Sequence, residues 1–286
     1  MRIGVLASGN LGYSVFKDLI KKNEVVFVMT DKKSFDIINF CKDYNFPNFV
    51  GNPRNGKSNE FLIEKKIDVL ISINYLYLIE ENLIKLPKKL AFNIHGSLLP
   101  KYRGRTPHVW SIINNDKETG ITAHVIDKGC DTGDIIEQIS VPINYNDTGA
   151  MILEKYNKLY VPLIDSVLEK IKNDSISLVP QENNKSSYFG KRSPEDGKID
   201  WNWQKERIRN WVRAQSNPYP GAFSFYKSQQ FIIDEIEYSD FAFDYEMTNG
   251  LILSHSPLLI KTPNGVVEII KIRDNKPSFE VEQILK

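Results

Sequence analysis

The feature that most constrains the fold of this chain is an alternation, over the first 126 residues, of short apolar runs with amphipathic stretches. This alternation is typical of βαβ units, because each strand of a parallel sheet needs a crossover helix before the next strand can begin. We predict four such strands, at residues 3–7, 25–29, 69–73 and 90–94.

The pattern changes in the second half of the chain. Two more strand-like runs, 121–127 and 135–141, precede a long amphipathic helix predicted at 151–171. Residues 172–198 are rich in Asn, Ser, Lys and Pro with little periodicity, which favours a crossing segment. A helix at 204–214 and a series of β-type runs follow, at 221–226, 231–238, 250–254, 258–262 and 265–272.

These patterns together predict an α/β protein of two domains, as its 286 residues also suggest. The first domain, residues 1–185, carries a Rossmann-like, mostly parallel sheet. Residues 186–203 form a linker, and residues 204–286 form a small, mainly β, barrel-like domain.

Composition excludes several classes of protein. Lys and Arg number 37 against 36 Asp and Glu, a net charge of +1, which argues against a nucleic-acid partner because phosphate contacts need a basic excess. The two cysteines, Cys41 and Cys130, form no CxxC pair, so we expect neither a disulfide framework nor a metal site. No apolar run approaches the roughly 18 residues of a membrane span. We therefore expect a cytoplasmic protein that binds no membrane.

The loop after the first predicted strand is a candidate anion site. Ser8, Gly9 and Asn10 end the strand and open a helix, where backbone N–H groups and the helix dipole favour a phosphate. The motif is only G-x-x-G, so an ordinary βα turn explains it equally well.

The fourth predicted strand carries the first candidate catalytic pair. Asn93 and His95 are two residues apart, and a period of two places them on one face near the carboxyl end of the strand, where open α/β sheets bind ligands. An amide donor beside an imidazole suits a developing oxyanion and a proton transfer near neutral pH. A buried structural histidine is the alternative.

Two further segments bear charges. Asp131 lies at the tip of the turn 127–134, well placed to orient an imidazole, although turn formation alone also explains an acid there. The calcium-loop pattern does not fit this turn, since its sixth position is Thr132 and its twelfth Gln138. Lys101 and Arg103 follow the candidate catalytic strand and suit an anion such as a diphosphate, unless they are merely solvated.

Three segments together resemble the signature of the formyltransferases that use 10-formyltetrahydrofolate. They are Asn93-Ile94-His95, the run from Ser97 to Gly104, and Asp131-Thr132-Gly133. The resemblance implies that Asn93 stabilises the tetrahedral oxyanion, that His95 takes the proton of the attacking amine, and that Asp131 orients His95 and a water. It extends over residues 1 to about 225, beyond which only the general pattern of a small β domain matches.

The branch of the family is indicated by the segments 188–201, 212–214 and 217–223, which look like those of nucleotide-sugar formyltransferases. This branch implies transfer from N10-formyltetrahydrofolate to a dTDP-linked amino-4,6-dideoxyhexose, at C3 or C4, for O-antigen or other surface polysaccharide. It also implies a homodimer. Methionyl-tRNA formyltransferase, a UDP-4-amino-arabinose formyltransferase and a non-catalytic folate- or sugar-nucleotide-binding protein remain as alternatives.

The same resemblance suggests where the two substrates lie. For the folate we expect contacts from an apolar loop after the third predicted strand and from the turn before Asp131, although core packing also explains the leucines. For the sugar nucleotide we expect Tyr219 to stack on the base, and Ser8, Gly9, Asn10, Lys101 and Arg103 to contact the diphosphate. The expected folate contacts are Tyr75, Tyr77, Leu78, Val125, Asp127 and Gly129.

Overall fold

The computed structural model describes residues 1–274 and 276–286, and it divides the chain into two compact units. The first unit comprises residues 1–104, 120–141 and 155–189, and the second comprises residues 105–119, 142–154 and 190–286. The predicted domains follow one another along the chain, whereas these units interleave.

The strands up to residue 189 are β1 (Arg2–Ala7), β2 (Glu24–Thr30), β3 (Asn48–Val50), β4 (Ile67–Ile73), β5 (Pro87–His95), β6 (Arg103–Gly104), β7 (Glu118–Val125), β8 (Ile135–Pro142) and β9 (Tyr188–Phe189). The helices of the whole described chain are α1 (Gly9–Lys22), α2 (Phe35–Asp43), α3 (Asn59–Leu62), α4 (Glu81–Ile84), α5 (Pro107–Ile113), α6 (Gly149–Lys172) and α7 (Lys205–Ala214). No helix in the described ranges is both long and apolar enough to cross a membrane.

Seven strands of the first unit form one sheet in the order β3-β2-β1-β4-β5-β7-β8. The pairs from β3 through β5 are parallel, and β7 joins β5 antiparallel. The prediction of a mostly parallel α/β sheet is thus confirmed. The short β6 and β9 pair separately as a parallel ribbon.

The central strands form the core of this unit because both of their faces are covered. Strand β1 is buried from Ile3 to Ala7, which is the near-continuous apolar run that a doubly covered parallel strand requires. Space is tight enough at Gly4 that an added Cβ would lie 2.6 Å from the Phe27 ring. Helix α1 packs onto the sheet with Val15, Phe16 and Leu19, the apolar stripe of an amphipathic helix.

Parallel pairing brings several strand ends to one edge of the sheet. Ala7 of β1 is opposite Ile73 of β4, and Ile73 is opposite Ile94 of β5. The loops that follow these three strands therefore leave the sheet at its carboxyl edge, where ligands bind in open α/β folds.

The second unit contains an antiparallel sheet of five strands in the order β10-β11-β14-β13-β12. Its free edges are joined by residues 282–286: Phe225 and Lys286 exchange backbone hydrogen bonds of 2.7 and 2.9 Å, and Leu285 N–H donates to Gly250 at 2.9 Å. The barrel-like β unit predicted from the sequence is confirmed. The strands are β10 (Ala222–Tyr226), β11 (Gln229–Ser239), β12 (Ile252–His255), β13 (Leu258–Thr262) and β14 (Gly265–Ile272).

Candidate functional site

The candidate catalytic residues of the first unit begin at the end of β5. Phe92 and Ile94 turn into the core, so Asn93 and His95 share the other face, as a period of two requires. The antiparallel partner strand β7 places His124 directly opposite Asn93. Two imidazoles and an amide thus lie at the carboxyl edge of the sheet.

Asp131 joins these residues from the loop between β7 and β8. One carboxylate oxygen, Oδ2, lies 3.5 Å from His95 Nδ1, and the other, Oδ1, lies 3.6 Å from His124 Nε2. Gly104 N–H also donates to Oδ2 at 2.9 Å. The structure therefore brings together the three predicted catalytic residues, Asn93, His95 and Asp131, although they come from separate segments.

The charges of this cluster follow from its burial. Burial raises the pKa of Asp131, but its interactions with His95 and His124 and the hydrogen bond from the Gly104 N–H outweigh it, so the pKa is lowered and the carboxylate stays ionised. Burial lowers the pKa of His95 below 6.5, and Asp131 and the Tyr102 carbonyl offset this only in part. His95 is consequently neutral at pH 7.

The partners of His95 determine which nitrogen is basic. Nε2 lies 2.8 Å from the backbone oxygen of Tyr102, and a carbonyl only accepts, so Nε2 carries the hydrogen. Nδ1 of the neutral ring then holds the lone pair and faces Asp131. A proton taken up at Nδ1 lies next to the Asp131 carboxylate, which stabilises the imidazolium that forms.

His124 was not predicted from the sequence. Its Nδ1–H donates to the Val125 carbonyl at 2.9 Å, so its Nε2 accepts a hydrogen bond from Asn93 Nδ2 at 3.1 Å. One amide hydrogen of Asn93 is thereby fixed; the second has no acceptor among the described residues and is left for a ligand. The available signal was a polar Thr122–His124 alternation within an otherwise apolar strand run.

The predicted phosphate loop lies at the start of α1. Ser8 is the N-cap residue, and Gly9 has φ +65°, a conformation that favours glycine. Gly9 N–H donates to Ser34 Oγ at 2.9 Å, and the Ser34 hydroxyl in turn donates to Asp31. Burial raises the pKa of Asp31, but hydrogen bonds led by that of Ser34 lower it overall. Part of the negative charge that a helix N-terminus favours is therefore supplied by Asp31.

The two predicted diphosphate cations have different surroundings. Lys101 is exposed in the turn after Pro100. Arg103 is only 7% exposed, and its Nε and Nη2 donate to Gln181 Oε1 at 3.1 and 2.8 Å, while Nη2 also reaches Asn183 Oδ1 at 3.2 Å. The Arg103 guanidinium is thus held by neutral amide oxygens of its own unit.

The predicted folate contacts lie on two loops. After β4, the Tyr75 and Tyr77 rings meet edge-on at 5.6 Å, and Leu78 is 58% exposed. Val125 ends β7, and beyond it the Asp127 carboxylate accepts bonds from Thr132 Oγ1 at 2.7 Å and Gly129 N–H at 3.0 Å. The first loop offers the exposed apolar side chain of Leu78, and the second is a hydrogen-bonded turn with backbone donors and acceptors. Such a combination suits a flat heterocycle.

Tyr219 belongs to the second unit. Its hydroxyl lies 2.8 Å from His108 Nε2, and the two rings are 5.9 Å apart. Burial lowers the pKa of His108 to about 4 and raises that of Tyr219 to about 12, so both are neutral at pH 7.

Two protein-family models match this chain. A family model described as formyl transferase matches residues 1–168, and one described as formyl transferase, C-terminal domain, matches residues 191–286. The second match extends over the part of the chain in which sequence reading found only a general β pattern.

A curated relative, the bifunctional polymyxin resistance protein ArnA of Wigglesworthia glossinidia brevipalpis, is 36% identical to this chain. The match covers 94% of this chain but only 42% of the length of that protein. Among solved structures, an N-formyltransferase from Helicobacter canadensis in complex with folinic acid and dTDP-3-aminofucose has a TM-score of 0.71 at 23% identity, covering 93% of this chain and 98% of that one. A 4-N formyltransferase from Francisella tularensis has a TM-score of 0.64 at 27% identity, covering 78% and 91%.

Proposed function

The chain belongs to the formyl transferase family, and on that premise we propose that it moves a formyl group from N10-formyltetrahydrofolate to the amine of a nucleotide-linked sugar. The observation that carries the proposal is the cluster of Asn93, His95 and Asp131, in which a buried, neutral imidazole faces an ionised carboxylate 3.5 Å away. Acyl transfer to an amine needs a base, an oxyanion donor and a group that stabilises the protonated base.

The reaction proceeds by attack of the free amine on the formyl carbon. As the carbon–nitrogen bond forms, the formyl oxygen gains negative charge, and the uncommitted Asn93 Nδ2 hydrogen stabilises it. His95 Nδ1 accepts the proton that the amine loses, and Asp131 stabilises the resulting imidazolium. Collapse of the oxyanion breaks the bond to N10, which takes up a proton, and the products are a formamido sugar and tetrahydrofolate.

For the folate we propose the loops after β4 and β7, through Tyr75, Tyr77 and Leu78 on one side and Val125, Asp127 and Gly129 on the other. The exposed Leu78 and the edge-on tyrosines supply apolar surface, and the turn supplies backbone donors and acceptors. The folinic acid bound by the Helicobacter canadensis structural neighbour supports this co-substrate. A crystal grown with folinic acid tests it, and a pterin away from both loops contradicts the assignment.

For the acceptor we propose a dTDP-linked amino-4,6-dideoxyhexose used in surface-polysaccharide synthesis. Support comes from the dTDP-3-aminofucose bound by the Helicobacter canadensis neighbour, although that likeness concerns the fold. We further propose that Ser8, Gly9, Asn10, Lys101 and Arg103 contact the diphosphate and that Tyr219 contacts the base, in a cytoplasmic enzyme.

A second acceptor is favoured by the resemblance of residues 188–201 to the enzyme that formylates a 4-amino-arabinose nucleotide. This acceptor is UDP-4-amino-arabinose. Its amine and the 4-amine of a dTDP-dideoxyhexose require the same chemistry, so the two proposals differ only in the nucleotide and the sugar.

One panel distinguishes these possibilities. The protein is incubated with 10-formyltetrahydrofolate and, separately, dTDP-3-amino and dTDP-4-amino dideoxyhexoses of gluco and galacto configuration, UDP-4-amino-arabinose, and methionyl-tRNA. Mass spectrometry measures replacement of an amine hydrogen by a formyl group. We expect the highest kcat/KM with a dTDP sugar, and the His95→Asn variant is the negative control.

Each contrary outcome has a definite meaning. Preference for UDP-4-amino-arabinose or for methionyl-tRNA rejects the dTDP acceptor but retains formyl transfer. Calorimetric binding of folate and a dTDP sugar with no product of any kind rejects catalysis, and the protein is then a binding protein.

A further inference from the structure

The Gln181 side chain links two segments of the candidate site. Its Nε2 donates to the backbone oxygens of Asp131 and Gly133, at 3.0 and 2.7 Å. Its Oε1 accepts the two bonds from Arg103, at 3.1 and 2.8 Å. All four hydrogen-bonding positions of this carboxamide are therefore occupied: its Nε2 donates both hydrogens, and its Oε1 accepts with both lone pairs.

The loop that Gln181 contacts is under backbone strain. Asp131 has φ +56°, in the left-handed region that a non-glycine residue enters at a cost. The two carbonyls held by Gln181 flank Thr132, so the amide fixes both ends of the peptide segment that follows Asp131. A strained conformation persists only where neighbouring groups hold it.

Gln181 also ties this loop to the strand that contacts the Asp131 carboxylate. Gly104, next to Arg103 in β6, donates its N–H to Asp131 Oδ2. Gln181 binds the Arg103 side chain, and the Arg103 backbone N–H donates to Ser187 at 2.8 Å. The Asp131 carboxylate is thus held in two ways, by the backbone of its own loop and by the Gly104 N–H. The Gln181 carboxamide supports both, since it binds the loop carbonyls and the Arg103 side chain.

We propose that Gln181 is a positioning residue for formyl transfer: it holds the backbone of Asp131 so that the carboxylate faces His95. The inference rests on the proposed function. Because Asp131 stabilises a charge that develops on His95 during the reaction, the hydrogen bonds from Gln181 to the Asp131 loop act on kcat, whereas its bonds to Arg103 act on the KM for the sugar nucleotide.

The first test replaces Gln181 by Leu, which keeps its size and removes its hydrogen bonds. We expect kcat to fall about ten- to hundredfold, because the catalytic carboxylate is displaced from His95. Should this variant fail to fold, Gln181→Glu retains the Arg103 bonds and loses only the donors to the loop, and the same fall in kcat is expected.

The pH profile separates positioning from simple stability. Titratable groups around this centre are His95, His124, Asp131 and the Cys130 thiol, which lies 3.6 Å from Asp131 Oδ2. Asp131 raises the pKa of His95, so a displaced carboxylate raises it less. The acid limb of kcat/KM therefore moves to lower pH in Gln181→Leu. A variant that only loosens the fold lowers the melting temperature without moving this limb.

A double-mutant cycle with Asp131→Asn gives the decisive result. If Gln181 acts through Asp131, adding Gln181→Leu to Asp131→Asn lowers single-turnover rates far less than it does in the wild type. The matched control is Gln138→Leu, since Gln138 also donates to a backbone carbonyl, that of Leu99 at 2.9 Å, outside the Asp131 loop.

Full additivity in the cycle, or a Gln181→Leu pH profile that coincides with that of the wild type, overturns the inference while leaving the proposed function intact. If the wild-type protein formylates no amine, the proposed function itself fails, and the two failures are thereby distinguished.

Discussion

His95 combines burial with a fixed tautomer, and together these define its expected role. Its Nε2 hydrogen is committed to the Tyr102 carbonyl, so only Nδ1 accepts a proton. We predict that His95→Asn lowers kcat by at least about 100-fold, because general base catalysis is lost. The KM for the sugar nucleotide stays within a small factor.

Steady-state kinetics at several pH values checks this prediction, with circular dichroism to verify folding. Near-normal turnover of the variant removes His95 from the mechanism.

His108 provides a pH prediction about stability. Its pKa is about 4 in the folded protein and about 6.5 in an unfolded chain. Between these values the unfolded chain binds a proton that the folded chain does not, so His108 destabilises the fold as pH falls from 6.5 towards 4. At pH 5 this cost is about 2 kcal/mol relative to pH 7.

Thermal unfolding at pH 7 and pH 5 measures the effect. We expect His108→Gln to lose less stability over this interval than the wild type. His255→Gln is the control, since His255 is exposed, and an equal pH response of all three proteins contradicts the prediction.

Single residues with distinctive chemistry could be predicted from the sequence. Asn93, His95 and Asp131 stand in polar–apolar patterns that suggest a site, and the structure places them together. His124 could not be singled out, because its role depends on being opposite Asn93 in the β5–β7 register. The contact of Gln181 with Arg103 joins positions 78 residues apart, and no local pattern encodes it.

In the loop between β7 and β8, Gly133 has no room for a side chain. A Cβ at Gly133 would lie 1.9 Å from the Val125 carbonyl oxygen, whereas one at Gly190 would meet no atom of the described residues within 4 Å. We predict that Gly133→Ala displaces the Asp131 loop, costs about 1–3 kcal/mol of stability and lowers kcat/KM at least tenfold.

Gly190→Ala is the matched control and changes neither quantity appreciably. Melting temperatures and kcat/KM of the two variants test the pair, and equal behaviour of both contradicts the steric argument.

The long elements were predictable and the short ones were not. The helix predicted at 151–171 is α6 (Gly149–Lys172), and the run predicted at 265–272 is β14. Strands β3, β6 and β9 have three residues or two, too few for a periodicity to appear. Their pairing is decided by partners distant in sequence.

For the molecule as a whole, barrel closure depends on residues 282–286. These residues hydrogen bond to Phe225 on one edge and to Gly250 and Ile252 on the other, and Leu285 is buried. We predict that deleting them opens the sheet and lowers the melting temperature of the second unit by several degrees, with increased binding of a hydrophobic dye.

Lys286→Ala controls for the side chain, because the pairing at Lys286 uses only its backbone atoms. Unchanged melting after the deletion contradicts a closing role for this segment.

The association state is a further prediction at this scale. The nucleotide-sugar branch that the sequence resembles implies a two-fold dimer, so light scattering of the purified protein should give a mass near twice 32.9 kDa. A mass that stays near 32.9 kDa even at high protein concentration contradicts the prediction of a dimer.

The interleaving of the two units has a consequence for how the chain folds as it is made. A nascent polypeptide of 141 residues already carries 105–119, which belongs to the second unit, while the first unit still lacks 155–189. The first unit is complete only at residue 189, after two segments of the second have been made, so the two units are not synthesised strictly one after the other. Strands β1 to β5, by contrast, pair with one another and are all synthesised before any segment of the second unit appears.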